Sequence, residues 1–357
     1  MRYINNITEA IGGTPLLKLN RVGEGIKGNV FVKLEHLNPS GSYKDRMAIA
    51  MVEAAERGET WNGRTLMPNG TVIEASAGNT ASALAMICAA KGYKAKFIIY
   101  RYSVEDENNS RMKIIRAFGP EVMVSSEPER YLTPEESRVF LSESEDLPHV
   151  LAAKMDASIL EQNDITGVWV DQIYNEFNAI GQKSIAREIY SQLDGQIDAV
   201  GCSIGAGGSL YGLCLGFNEL GLKPQSIFGV VPTGSESYFE LDKTESRRGE
   251  FRIIGLKKRL EVAMGLEKWI KGKSIIEEML EQGYPDTIFV VSDEEARDMA
   301  DRLCKEEGVY CGMSSGANVA VALKIAERLG PNKNVVTVIV DRRDRYLSEM
   351  PNEKYVV

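Results

Sequence analysis

The chain has 357 residues and a hydrophobic content of 43%, which is enough for about two globular domains with sizeable cores. Its 51 acidic side chains outnumber its 42 basic ones, and the net charge of −9 disfavours nucleic acid and acidic membrane surfaces as partners. The sequence does not open on an apolar signal segment, and its longest apolar run, residues 83–90, is far shorter than the ~20 residues of a membrane span. We therefore expect a cytoplasmic protein without a membrane segment.

The cysteines and histidines give little support for a metal site. The cysteines are odd in number and widely scattered, which favours reduced thiols over a disulfide framework. They are Cys88, Cys202, Cys214, Cys304 and Cys311. The chain has only two histidines and no CxxC pair, so neither a zinc site nor a serine–histidine–aspartate triad is expected.

Short β-branched segments alternate along the chain with stretches of helical periodicity. In chain order the strand segments are "GNVFVKLE", "TVIEAS", "KAKFIIY", "AVGCSI", "SIFGVVP", "TIFVV" and "VVTVIV". This alternation is typical of parallel sheets covered by helices and predicts the α/β class. The stretch from Ser125 to Val168 is the least regular, and we expect either a cover over the site or a subunit contact there.

The first strand segment leads into "NPSGSYKDRMA", where Lys44 lies in a turn of small and rigid residues. A lone lysine beside a glycine is usually a solvated surface cation. The alternative is an amine held for covalent chemistry, because a lysine can form a Schiff base with a carbonyl compound. The preceding Tyr43 has no role on either interpretation.

The next strand segment leads into "EASAGNTASALA", which places Ser76, Ala77, Asn79 and Thr80 between a strand and a helix. The free amides and hydroxyls at such a helix start can bind an anion of carboxylate size. On its own the segment could equally be an ordinary helix cap.

A glycine-rich turn follows the strand segment "AVGCSI". The glycines let a backbone approach an anion closely, and the helix that follows favours negative charge at its start. The turn consists of Gly205, Ala206, Gly207, Gly208 and Ser209. It lacks both the usual GxGxxG spacing and the lysine of a Walker loop, so a single phosphate group fits better than a dinucleotide or a nucleoside triphosphate.

Six motifs in order along nearly the whole chain resemble the fold-type II pyridoxal phosphate enzymes of the cysteine synthase and cystathionine β-synthase group. They are "IGGTPLLKL", "KLEHLNPSGSYKDRMA", "EASAGNTASALA", "GCSIGAGGSLYG", "EEGVYCGMSSGAN" and "DRRDRYLSE". The resemblance implies two three-layer α/β domains with mainly parallel sheets, as in the β-subunit of tryptophan synthase. The smaller, mobile domain would hold residues 46–165, and the larger, cofactor-binding domain residues 1–45 and 166–357. Homodimers are usual in this family.

The resemblance also implies how pyridoxal 5'-phosphate would be bound. Lys44 would hold the cofactor as a Schiff base and later act as the base at Cα. Asn79 would touch the phenolic oxygen, the glycine-rich turn would hold the phosphate, and Ser314 would lie against the pyridine nitrogen. The implied cofactor-binding residues are Lys44, Asn79, Gly205, Ala206, Gly207, Gly208, Ser209 and Ser314.

The same family pattern implies a site for the carboxylate of an amino acid substrate. Its residues would be Ser76, Ala77, Asn79, Thr80 and Gln172. The implied reaction is β-replacement on a serine-type amino acid through an α-aminoacrylate, most simply cysteine synthesis from an activated serine and sulfide. It would serve amino-acid biosynthesis and sulfur metabolism.

Other partners for this chemistry stay open at the level of sequence. They include O-phosphoserine as the donor, cysteine desulfhydration, lanthionine-type replacement, and the synthesis of cystathionine or diaminopropionate. A relative that binds a partner without catalysis is an alternative of another class, which the presence of Lys44 disfavours.

Two departures from the family pattern bear on the substrate. Ala77 stands where the family usually has a serine or threonine, which removes one hydroxyl donor from the carboxylate loop. Between Arg247 and Arg259 the chain carries six basic residues and one acidic residue. This segment is either a solvated basic surface or, through residues such as Lys257 and Lys258, a site for an anionic group of a substrate.

Overall fold

The computed structural model describes residues 3–60, 62–99, 109–134, 147–247, 249–256 and 272–349. Within these ranges the strands form an eight-stranded and a four-stranded sheet. The strands are β1 (Leu16–Lys18), β2 (Asn29–Leu34), β3 (Thr71–Ala75), β4 (Lys94–Ile99), β5 (Glu121–Val124), β6 (Gly167–Trp169), β7 (Ala199–Ser203), β8 (Ser226–Pro232), β9 (Phe239–Arg247), β10 (Glu250–Leu256), β11 (Thr287–Val291) and β12 (Asn334–Ile339). The α-helices are α1 (Lys44–Glu56), α2 (Asn79–Lys91), α3 (Ser110–Ala117), α4 (Leu147–Asn163), α5 (Phe177–Gln192), α6 (Gly208–Glu219), α7 (Ile275–Glu281), α8 (Asp293–Arg302) and α9 (Met313–Leu329).

The eight-stranded sheet has the order β1-β2-β12-β7-β8-β11-β10-β9. Its five inner strands from β2 to β11 are parallel, whereas the pairs β1–β2, β11–β10 and β10–β9 at the two edges are antiparallel. The inner strand β12 is buried from Val335 to Ile339, as expected where helices cover both faces of a parallel sheet. Helices α8 and α9 pack on one face, and α5, α6 and α7 pack on the other.

The four-stranded sheet is parallel throughout, in the order β5-β4-β3-β6. Helices α1, α2 and α3 cover one face, and α4 covers the other. Alanine-rich α2 begins directly after Gly78 and ends at Gly92, whose left-handed backbone (φ 80°) closes the helix by donating its N–H to Cys88 O.

The predicted α/β class with mainly parallel sheets is confirmed. The domain limits stay a prediction, and β6, which pairs with β3, begins just beyond the predicted limit at residue 165. The stretch from Ser125 to Val168 contains the regular helix α4, which packs on the smaller sheet, while residues 135–146 lie outside the described residues. None of the helices in the described ranges is both long and apolar enough to cross a membrane.

Candidate active site

The predicted functional segments meet where strands of the two sheets end. Tyr43 N donates to Val340 O, just after β12, at 2.9 Å. Asn79, the first residue of α2 after β3, donates through Nδ2 to Oδ2 of Asp341 at 2.6 Å. These contacts bring the Lys44 turn and the start of α2 to the carboxyl end of β12 in the larger sheet. The carboxyl ends of parallel strands are the usual place for a ligand in an open α/β sheet.

Lys44 is the first residue of α1, and it is partly buried. Nζ lies 4.9 Å from the centroid of the Tyr43 ring. Burial lowers the pKa of Lys44 to about 8, although nearby Cys202 and Glu74 act in the opposite direction. A large fraction of the amine is therefore neutral near pH 8, which is the form that attacks a carbonyl or takes a proton.

Tyr43, which sequence reasoning left without a role, helps to fix the position of Lys44. Its carbonyl oxygen accepts a hydrogen bond from Gln182 Nε2 at 3.2 Å, and its ring is buried against the lysine amine. Burial, together with Cys202 and Asp341, raises the pKa of the Tyr43 phenol, although Ser209 lowers it. The phenol is therefore neutral at physiological pH and faces the glycine-rich turn.

The glycine-rich turn after β7 fits a phosphate group. The hydroxyl of Ser209 is buried beside the Tyr43 phenol, whose pKa it lowers, and it makes no other hydrogen bond among the described residues. A Cβ at Gly205 would meet nothing within 4 Å, whereas one at Gly207 would lie 2.8 Å from Ile276. Helix α6 has no side-chain cap at its start, and the space beside Gly205 is open, so this end of the helix can accept a phosphate.

The carboxylate loop comes together with Gln172, which is remote in sequence. Thr80 Oγ1 donates to Gln172 Oε1 at 2.5 Å. Within the loop, Gly78 N donates to Ser76 Oγ at 3.3 Å, and partly buried Ala77 packs against the core of the smaller sheet. Thr80 and Gln172 therefore form one polar pair, while Ala77 contributes packing and no hydroxyl.

A buried carboxyl group beneath this pair was missed by sequence reasoning. Glu74 accepts hydrogen bonds from Ala75 N at 3.0 Å and from Gln172 N at 3.2 Å. Burial and the charge of Asp171 raise its pKa, although Lys154 and these hydrogen bonds act against the shift. A glutamate inside the apolar strand "TVIEA" was the available signal, because a carboxyl group is rarely buried without a specific partner.

The two serines at the start of α9 have different environments. Ser315 is fully buried, and its Oγ accepts a hydrogen bond from Val340 N at 2.9 Å. Ser314 is only partly buried. The Ser315 hydroxyl is thus already hydrogen-bonded to the backbone of Val340. The contact of Ser314 with a pyridine nitrogen stays a prediction.

The basic segment is not brought to this site within the described part of the chain. Its Arg252 is exposed on β10, and β11 and β8 separate that strand from β7. Lys257 and Lys258 lie outside the described residues. Their role toward an anionic substrate stays a prediction.

Comparisons with known proteins agree over nearly the full length of the chain. A family profile described as "Pyridoxal-phosphate dependent enzyme" matches residues 7–341. Cysteine synthase 1 of Emericella nidulans is 32% identical, over 99% of this chain and 86% of that protein. A hydrogen sulfide-producing enzyme from Fusobacterium nucleatum has a similar structure, with a TM-score of 0.72, 27% identity and coverage of 97% of this chain and 99% of that chain. The O-acetylserine dependent cystathionine β-synthase from Helicobacter pylori also gives a TM-score of 0.72, with 27% identity and 98% of each chain covered.

Proposed function

Because this chain belongs to the family of pyridoxal-phosphate dependent enzymes, we propose that it catalyses β-replacement on a serine-type amino acid, most simply cysteine synthesis from an activated serine and sulfide. It is an enzyme of the lyase and transferase type that uses pyridoxal 5'-phosphate. Bound pyridoxal phosphate supplies the electron sink that makes proton loss at Cα and departure of a β substituent possible.

The observation that carries the proposal is the environment of Lys44. Burial lowers the pKa of its amine to about 8, and the amine lies 4.9 Å from the ring centroid of Tyr43, whose phenol is close to the Ser209 hydroxyl. A solvated surface cation would have neither feature. We assign the covalent attachment of the cofactor to Lys44, and the binding of its phosphate to Ser209 and the amides of residues 205–208.

Two further residues would complete the cofactor site. Asn79 offers an amide to the phenolic oxygen, and Ser314 offers a hydroxyl to the ring nitrogen. A neutral hydroxyl cannot keep a proton on that nitrogen as a carboxylate would. This choice of residue favours loss of a β substituent over transamination.

The substrate carboxylate would be held by the polar pair Thr80 and Gln172, with Ser76, Ala77 and Asn79 of the same loop. The amide and hydroxyl donors of these residues suit an oxygen anion. Once released from the cofactor, the neutral amine of Lys44 would take the proton from Cα. Burial lowers the pKa of the amine to about 8. A general base acts best when its pKa lies near the pH of the reaction, because enough of it is then unprotonated.

A different acceptor or donor is the second candidate. The similar structures include a hydrogen sulfide-producing enzyme and an O-acetylserine dependent cystathionine β-synthase. The same lysine and carboxylate pair would serve all of these reactions, so the acceptor should be decided by side chains around the mouth of the site.

We further propose that the enzyme acts in the cytoplasm as a homodimer. Large apolar side chains are exposed near the amino terminus, which is the kind of surface that a partner subunit covers. They are Tyr3, Ile4, Ile7 and Leu37. Analytical ultracentrifugation would test the dimer, and a monomer at micromolar concentration would contradict it.

The first experiment is the absorption spectrum of the purified protein. We expect the visible band of a lysine Schiff base, which should be lost in Lys44→Ala and kept in the control Lys18→Ala, where an exposed lysine is removed. Activated serines, O-phosphoserine and cysteine would then be offered with sulfide, homocysteine or amino acids as acceptors, and the products identified by mass spectrometry. A colourless protein that gains no band with added pyridoxal phosphate would overturn the proposal.

A further inference from the structure

The motif "DRRDRYLSE" near the carboxyl terminus contains a deeply buried arginine that the proposed reaction does not use. Arg345 lies in the 3-10 segment Arg343–Glu349 and is only 1% exposed. An arginine is almost never fully buried unless its donors are satisfied. Its hydrogen-bond partners therefore indicate what this side chain does.

Arg345 joins the two loops that carry the proposed cofactor contacts. Its Nε donates to Asn79 Oδ1 at 2.5 Å, and its Nη2 donates to the carbonyl oxygen of Ser40, in the turn before Lys44. Its ion pair with Asp344 is longer, at 3.6 Å between Nη1 and Oδ1. The guanidinium is thus directed at the neutral groups of the site loops.

Asp341 holds the other end of the Asn79 amide. The carboxylate is fully buried, and its Oδ2 accepts hydrogen bonds from Asn79 Nδ2 and from the Tyr346 hydroxyl, both at 2.6 Å. Because Arg345 can only donate, the amide atom that meets it is Oδ1, and the amide nitrogen therefore faces Asp341. A flipped amide would lose both hydrogen bonds, because its nitrogen would face the Arg345 donor and its oxygen would face the Asp341 oxygen. Asp341 takes one hydrogen of Nδ2, and the other is left for a ligand.

Two glycines in other site motifs make room for these side chains. Gly41 has φ +91°, and a Cβ there would lie 2.7 Å from Arg345 Nη1. A Cβ at Gly312 would clash with Asp341 Oδ1 and lie 2.6 Å from Tyr346 Cε2. The motifs around Lys44 and Ser314 are therefore shaped to accept Arg345 and Asp341.

We propose that Arg345 and Asp341 are positioning residues that fix which end of the Asn79 amide is available to the cofactor. The inference rests on the proposed function, in which Asn79 meets the phenolic oxygen. A donor at that oxygen favours its ionised form, and the absorption spectrum of bound pyridoxal phosphate reports this ionisation. Without the two residues the amide can rotate and offer its oxygen, which disfavours the ionised form.

The test compares the spectra and cofactor affinities of variants. In Arg345→Met we expect the visible band to lose intensity to the near-ultraviolet band, and the Kd for pyridoxal phosphate added to apoprotein to rise about tenfold, as for one lost hydrogen bond. Arg345→Lys keeps a donor and should restore most of the wild-type spectrum. Arg342→Met is the matched control, because that neighbouring arginine is exposed and should leave both readouts unchanged.

A second comparison separates positioning from general damage to the structure. In an Asn79→Ala background, the change Arg345→Met should alter neither the band ratio nor the Kd further, because its effect passes through the Asn79 amide. If Arg345→Met does not fold, Asp341→Leu, which is similar in size and removes the acceptor of the Asn79 amide, should shift the bands in the same direction.

The outcomes distinguish this inference from the proposed function. A yellow wild-type protein whose folded Arg345→Met or Asp341→Leu variants keep its spectrum and Kd overturns the positioning role alone. Additive effects of Arg345→Met and Asn79→Ala overturn it as well. A wild-type protein that does not bind pyridoxal phosphate at all overturns the proposed function.

Discussion

Two buried arginines hold the turn that carries Lys44, and their surroundings differ. Arg46, two residues after the lysine, pairs through Nε with Glu35 Oε2 at 2.7 Å and through Nη1 with Glu188 Oε1 at 2.6 Å. Arg345 approaches the same turn from the carboxyl-terminal segment, and its short bonds go to the Asn79 amide and a backbone carbonyl.

The Arg46 cluster is balanced in charge. Buried Lys33 also pairs with Glu188, at 2.6 Å, so two cations face the carboxylates of Glu35 and Glu188. The hydroxyl of Thr14 satisfies Glu35 further, donating at 2.6 Å. Such matching offsets the cost of desolvation and makes the cluster a rigid support for the start of α1.

The Arg345 cluster leaves part of its polar capacity without protein partners. Oδ1 of Asp341 is buried and has no hydrogen-bond partner among the described residues. Burial raises the pKa of Asp341, although Tyr346, Asn79 and the charges of Arg345 and Arg111 act against this shift. We infer from this difference that the Arg46 cluster stabilises the fold. The Arg345 cluster, which is not fully hydrogen-bonded and contacts Asn79, instead positions a residue of the candidate active site.

The largest expected effect is the loss of Arg46. Arg46→Met leaves two carboxylates without their main partner, and we expect the free energy of unfolding to fall by about 3–5 kcal/mol. Urea unfolding of the apoprotein would measure it. The control Arg187→Met removes a surface arginine paired with Glu219 and should cost about 1 kcal/mol or less. If Arg345→Met lowers the free energy of unfolding as much as Arg46→Met does, the proposed difference between the two clusters is wrong.

The second largest effect is expected from acid, which should weaken the Arg46 cluster by protonating Glu188. Burial alone would raise the pKa of Glu188, but the hydrogen bonds and charges of Arg46 and Lys33 outweigh it and lower the pKa to about 2. Its contribution is therefore complete above pH 4.5, the ordinary value for glutamate, and is lost as the pH falls toward 2. We expect a loss of roughly 3 kcal/mol over this range, since one pKa unit corresponds to ~1.4 kcal/mol.

Urea unfolding at several pH values would measure this loss. Glu188→Gln should be less stable at neutral pH and should lack this part of the acid dependence. Asp341 contributes with the opposite sign, because a raised pKa means that its protonation favours the folded state. Asp341→Asn should therefore not reduce the acid sensitivity, and a loss of that sensitivity would contradict our comparison.

The smallest effect is expected for Tyr346→Phe. The change removes one of the two hydrogen bonds to Asp341 Oδ2 and leaves the bond from Asn79 in place. We expect a loss of about 1 kcal/mol in stability and a shift of the cofactor bands that is smaller than in Arg345→Met. Tyr310→Phe, at a tyrosine that is 43% exposed, is the control. If Tyr346→Phe shifts the cofactor bands as much as Arg345→Met does, Tyr346 matters as much as Arg345 for the position of the Asn79 amide, which contradicts this prediction.

Much of the architecture was readable from the sequence, because its signals are local. Strand–turn–helix segments can be recognised in a sequence by their periodicity and by glycine and hydroxyl residues in the turn. Lys44, Asn79 and Ser209 each lie at the start of a helix, within about a dozen residues of the preceding strand. Sequence reasoning also named Thr80 and Gln172, through the family pattern. The structure joins this pair by a hydrogen bond, although 92 positions separate the two residues.

The remaining features depend on contacts between distant segments. Asn79 and Arg345 are 266 positions apart, and nothing in either motif alone indicates that they meet. Glu74 and Tyr43 likewise acquire their perturbed pKa values from burial.

By itself, then, the sequence determined the α/β class and the family, because these follow from composition, periodicity and contiguous motifs, and it predicted which lysine and which turn would hold the cofactor. Only the tertiary structure decided which buried groups support them. Desolvation and hydrogen-bond partnership arise when the carboxyl ends of β3, β7 and β12 are brought together, and they exist in no single segment of the chain.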